Sequence, residues 1–66
     1  MIKLEDIRRN SIVMLRGSFG SDPARRATIN DVFEDIKNGR PGVDYTGEKG
    51  GDNWAYLTQI VSVIKY

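Results

Sequence analysis

The amino-acid sequence predicts an all-β fold, a small barrel of four to five antiparallel strands. Three observations carry that prediction. Turn chemistry recurs at short spacing, at Gly20, Asn38-Gly39 and Gly50-Gly51, and the stretches between have the length of strands. Those stretches are rich in β-branched residues, above all Ile12–Leu15 and Ile60–Ile64. The segment Trp54–Tyr66 holds the only tryptophan, two of the three tyrosines and the longest apolar run. Strands this short leave exposed edges unless they close on one another, which is the argument for a barrel.

Each element follows from its residues. Leu4 and Ile7 flank Glu5-Asp6 in an irregular leading segment or single turn, expected to cap the core edge. Ser11 to Phe19 reads as the first strand. Its run Ile12-Val13-Met14-Leu15 is apolar on both faces, so the second face is covered by the leading segment or meets another subunit. Gly17 to Pro23 is loop chemistry, glycine-rich with a closing proline.

Residues 27–36 are ambiguous. Ile29, Val32, Phe33 and Ile36 fall at helical spacing, with Thr28 or Asn30 as a cap and Gly39 as a stop. The alternative fold is therefore α+β, with one helix around residues 29–38. Against it, Thr28, Ile29, Val32 and Ile36 are β-branched, and such a helix would lack a partner. A strand is the favoured reading, and it requires a bulge near Asn30-Asp31 to change the parity at Val32.

Asn38-Gly39 suits positive φ, and Pro41-Gly42 suits the centre of a type II turn. Val43 and Tyr45 alternate with Asp44 and Thr46 as a short strand, and 47–53 is a polar hairpin loop. Trp54 and Tyr56 alternate with Ala55 and Leu57. Thr58-Gln59 then interrupt for one helical twist before a final strand from Ile60.

Sixty-six residues make a single domain, 1–66, near the lower limit for folding without staples. With 39% hydrophobic residues the chain is ordinarily globular rather than disordered. No cysteine is present, so neither disulfides nor thiolate metal sites are available. Charges crowd the first residues too closely for a signal peptide, and no apolar run approaches the roughly 20 residues needed to span a bilayer. A cytoplasmic protein without a membrane partner is expected.

The strand count, the length and the late turn before a last strand fit an SH3-like barrel. The stretch Asp35–Tyr45, the polar loop after it, and Trp54-Ala55-Tyr56-Leu57 with Gln59-Ile60 resemble small SH3-like proteins of bacteria and their phages. The resemblance covers about half the chain. It implies the barrel and carries no catalytic motif.

With neither histidine nor cysteine, the commonest general base, thiol nucleophile and transition-metal ligands are missing. Asp31, Glu34, Asp35 and Asp44 are the nearest approach to a catalytic carboxylate group, and they read as a solvated acidic edge. The Asp44-x-Thr46-x-Glu48 spacing fails as a calcium loop, because Lys49 stands where glycine is needed. The glycines of 42–51 lack the Gly-Lys-Ser/Thr ending of a phosphate loop. No enzyme, cofactor or metal is expected.

What remains is binding. Ten basic against nine acidic residues leave a net charge of +1, so only clustering could favour nucleic acid. The expected function is a non-catalytic module binding a protein partner or its own copy. The alternative is RNA or single-stranded DNA, held by Arg25, Arg26 and Arg40 on loops with aromatics beside them. Phe19, Tyr45 or Trp54 could add the stacking surface, while Tyr45, Trp54 and Tyr56, on strands expected to be neighbours, could line an aromatic groove for a peptide. A lone tryptophan in so small a domain is nevertheless more often core, and Trp54 is assigned there first.

Overall fold

The computed structural model describes all 66 residues as a five-stranded antiparallel sheet with one short helix. The strands are β1 (Ile12–Arg16), β2 (Ala24–Lys37), β3 (Arg40–Gly47), β4 (Asp52–Tyr56) and β5 (Ile60–Lys65). Their order across the sheet is β4-β3-β2-β1-β5. Helix α1 (Gly17–Gly20) follows β1, and 3-10 turns occupy Leu4–Asp6 and Leu57–Gln59.

The sheet does not close, and this corrects the expected all-β SH3-like barrel. β4 pairs only with β3, and β5 only with β1. The reason lies at the turn between them. Tyr56 ends β4 and Ile60 begins β5, so only Leu57–Gln59 separates the two strands, which share no ladder. Both outer strands therefore keep a free edge.

The alternative helix around residues 29–38 is also corrected, because that segment is the second half of β2. A register shift between Ile29 and Asp31 provides the parity change: Ile29 pairs with Tyr45, and Val32 with Val43. One extra residue in the bulge lets both Ile29 and Val32 turn to the same face, which a regular strand forbids. The helix-like spacing of Ile29 and Val32 is thus produced by a bulged strand. The short segment Gly17–Gly20, where the sequence suggests strand and then loop, is a tight turn with Ser18, Phe19 and Gly20 at positive φ.

The core occupies one face. Val13 and Leu15 come from β1, Ala27 and Ile29 from β2, Val43 and Tyr45 from β3, and Ala55 from β4. Ile7, Leu57 and Ile60 close it, with Ile2, Leu4, Val32 and Val63 packed around them. Complete burial of Val13, Ile29 and Val43 contributes about 2 kcal/mol for each side chain. The leading segment covers this core rather than the second face of β1. There Ile12 and Met14 are half-buried among their cross-strand neighbours Thr28, Arg26 and Ser62.

Two buried polar side chains tie the ends of the sheet. The Ser11 hydroxyl accepts from the Arg8 backbone N–H at 2.9 Å and donates to the Tyr66 carbonyl at 2.8 Å. The Gln59 side chain accepts from the Tyr56 N–H and donates to the Arg16 carbonyl, both at 2.9 Å. Each is fully satisfied, which a buried polar group needs if it is not to cost stability. No helix is long and apolar enough to cross a membrane.

Candidate nucleic-acid interface

On the face of β4 opposite the core, strand alternation sends Trp54 and Tyr56 outward while Ala55 fills the core position between them. Trp54 is therefore not a core residue, contrary to its first assignment. A tryptophan would not fit the slot that Ala55 takes against Val43, its cross-strand partner. Instead the indole meets the Tyr56 ring at 5.2 Å between centroids and 85° between planes.

Phe19 completes this surface from α1. Its ring lies 5.9 Å from Trp54 at 76°, and 6.3 Å from Tyr56 at 43°. The two contacts of the indole are edge-to-face, the arrangement that aromatic quadrupoles favour, and the Phe19–Tyr56 contact is tilted. They are too close for the rings to enclose a separate ligand cation between them. The cluster presents itself outward as a surface.

Phe19 is 76% exposed, which is unusual for the largest apolar side chain of a loop. It is also held in a left-handed backbone conformation, φ 57° and ψ 29°, next to Ser18 at φ 50° and ψ 50°. Each such residue costs about 1 to 2 kcal/mol without glycine. A dense local network sustains the strain. Asp22 N–H donates to the Gly17 carbonyl, Ser18 Oγ donates to Asp22 Oδ2 at 2.9 Å, and Arg16 Nε donates to the Asp22 carbonyl at 3.0 Å.

Two cations flank the rings. The β2–β3 hairpin turns through Asn38 and Gly39, both at positive φ, and so places Lys37 opposite Arg40. The Arg40 guanidinium lies 4.0 Å from the Tyr56 ring centroid, and its Nη2 donates to Thr58 Oγ1 at 3.3 Å. Lys37 Nζ lies 5.4 Å from the Trp54 centroid. Asn38 Nδ2 donates to the Tyr56 hydroxyl at 3.2 Å, fixing that ring.

The six residues expected at a binding site divide into two groups. Arg40, Trp54 and Tyr56 come together here. Arg25, Arg26 and Tyr45 line a separate cleft of about 360 Å³ between the β1–β2 and β3–β4 connections. Tyr45 belongs to the core, so its ring offers no stacking face. Burial, and secondarily the Asp22 carboxylate, push its phenol above the ordinary value of 10.0. Arg25 is held by Glu48 at 3.2 Å. Asp22, Glu48, Lys49 and Asp52 mix both signs of charge around this cleft, so it is no basic groove.

Lys37 is one of the basic residues the sequence offers, though not one of the six expected at the site, and Asn38 reads there only as a turn residue. The signal was available in the Asn-Gly turn, since a two-residue hairpin makes the flanking residues direct neighbours. No cluster of three acidic, histidine or cysteine side chains could hold a metal ion.

Comparison with protein families, curated proteins and solved structures finds no match. The resemblance to small SH3-like proteins thus gains no support. The phage-type reading that leaned on it is set aside, and nothing in these comparisons supports binding of a protein partner or a second copy.

Proposed function

We propose that this chain binds RNA or single-stranded DNA without catalysing a reaction, stacking bases on Phe19, Trp54 and Tyr56. Lys37 and Arg40 contact the phosphates. The carrying observation is Phe19: an exposed phenylalanine, held in a strained backbone conformation, against two further rings and beside two cations. Strain of that kind concentrates at functional sites. Exposed rings beside cations are the means by which small β domains hold unpaired bases.

A single strand is favoured over a duplex because stacking needs a free base face. The near-neutral net charge of +1 argues in the same direction, since duplex binding draws mostly on phosphate contacts. The test is titration of a labelled oligonucleotide at several salt concentrations. Two phosphate contacts on a single strand predict a log–log slope of about −1.4. Phe19→Ala and Trp54→Ala should each weaken binding about tenfold, within the range for losing one stacking ring. Absence of binding at low salt overturns the proposal.

A further inference from the structure

Beside Trp54 the outward face of the sheet carries a shallow polar pit, lined by Asn30, Asp44, Asp52, Asn53 and the indole itself. Asp44 is the direct cross-strand partner of Trp54. Paired residues on one face of an antiparallel ladder have Cβ atoms about 5 Å apart, so the carboxylate stands beside the ring. A base stacked on that ring would turn its edge either to this pit or to open solvent.

The polar groups around the pit are largely committed to one another. Asn30 Nδ2 donates to Thr46 Oγ1 at 2.9 Å, and the one hydroxyl proton of Thr46 goes to Asp52 Oδ1 at 2.8 Å. Asn53 Oδ1 accepts the backbone N–H of Trp54 at 2.8 Å. Asp44 takes part in none of these, and the two ion pairs of the molecule, Arg9–Asp31 and Arg25–Glu48, also leave it out. Its other cross-strand neighbour is Asp31, a like charge. Like charges directly opposite are unfavourable in a sheet. The half-buried Asp44 carboxylate therefore has acceptor capacity that the protein itself leaves unused.

The charge layout also orients a bound strand. Asp44 and Asp52 repel phosphates from the pit side, whereas Lys37 and Arg40 attract them on the other side of the rings. The sugar–phosphate chain then runs along the hairpin turn, and base edges point toward Asp44. An ionised carboxylate only accepts hydrogen bonds. Guanine offers two adjacent donors on its Watson–Crick edge, N1–H and the N2 amine, which match the two carboxylate oxygens. Adenine and cytosine each offer one amine beside an acceptor nitrogen. Uracil and thymine flank a single N–H with two carbonyls that the carboxylate repels.

We infer that Asp44 reads the base stacked at Trp54 and selects guanine over uracil or thymine. The inference rests on the stacking function proposed above. Trp54 is the only tryptophan, so its fluorescence reports the site directly. The probes are an oligouridine of roughly nine nucleotides and the same strand with one central guanosine. The guanosine strand should bind about tenfold more tightly, the discrimination expected of one bidentate pair. Asp44→Asn should reduce that ratio to about twofold or less while leaving oligouridine binding equal or stronger, because a repulsive charge is lost. Equal affinity of the wild-type protein for the two strands overturns the inference and leaves the stacking function standing. So does a variant that keeps the tenfold ratio. If neither strand alters the fluorescence or binds by any other readout, the stacking function falls, and the inference with it.

Discussion

Phe19 and Tyr45 show how the same class of side chain is put to opposite uses. Phe19 sits in a left-handed turn that no aromatic residue prefers, and its ring is given to solvent. Tyr45 sits in a regular strand with its ring in the core and its hydroxyl toward the cleft that Asp22 helps to line. That placement favours the neutral phenol in the folded state and raises its pKa. The stabilising preference is fully present below about pH 10 and is lost as the pH rises through the folded value. Tyr45→Phe should therefore blunt the alkaline loss of stability, measured as the denaturant midpoint at about pH 9 and about pH 11. The cost of the substitution at neutral pH should be about 1 kcal/mol or less, since the hydroxyl donates to no protein partner. An unchanged alkaline slope would show that other groups govern it.

At the scale of elements, β2 is the part least legible from the chain alone. Its 14 residues contain Ile29, Val32, Phe33 and Ile36 at a spacing that mimics a helix. Only the partner strand settles the matter, by pairing Ile29 with Tyr45 and Val32 with Val43 across a bulge. Period is a local signal, and a bulge is a tertiary event that scrambles it. Turns were easier at Asn38-Gly39 and the late Thr58-Gln59 twist, which depend on residues inside the turn itself, whereas Pro41-Gly42, read as a type II turn, lies within β3. Gly42 shows a constraint of another kind. It is buried without any special φ, and a Cβ there would collide with the Ala55 carbonyl and with Ile36. One collision is with backbone and cannot be relieved by a rotamer change. Gly42→Ala should cost about 3 kcal/mol, the upper end for overpacking, and unfolding by urea would measure it. A loss below about 1 kcal/mol would mean that β3 and β4 can separate at little cost.

For the whole molecule, the sequence revealed the strand content and half of the surface, while closure and the second half were hidden. Arg40, Trp54 and Tyr56 were legible because polar turn and aromatic strand are local features. Their assembly with Phe19 and Lys37 needed two hairpins from opposite halves of the chain to meet. The barrel expectation failed for a related reason: it assumed that β4 and β5 would pair, whereas the 3-10 turn at Leu57–Gln59 redirects the chain and β5 pairs with β1 instead. β4 is consequently an outer strand, and those of its amides that point away from β3 should exchange with solvent quickly. Tyr56 is the exception, since its N–H is capped by the interior amide of Gln59, which also grips the end of β1. Deuterium labelling should find that one amide protected nearly to the limit of global unfolding, while that of Trp54, which bonds only the exposed Asn53 side chain, equilibrates early. If so, the aromatic surface on the rim of the sheet inherits the slow dynamics of the interior through a single glutamine.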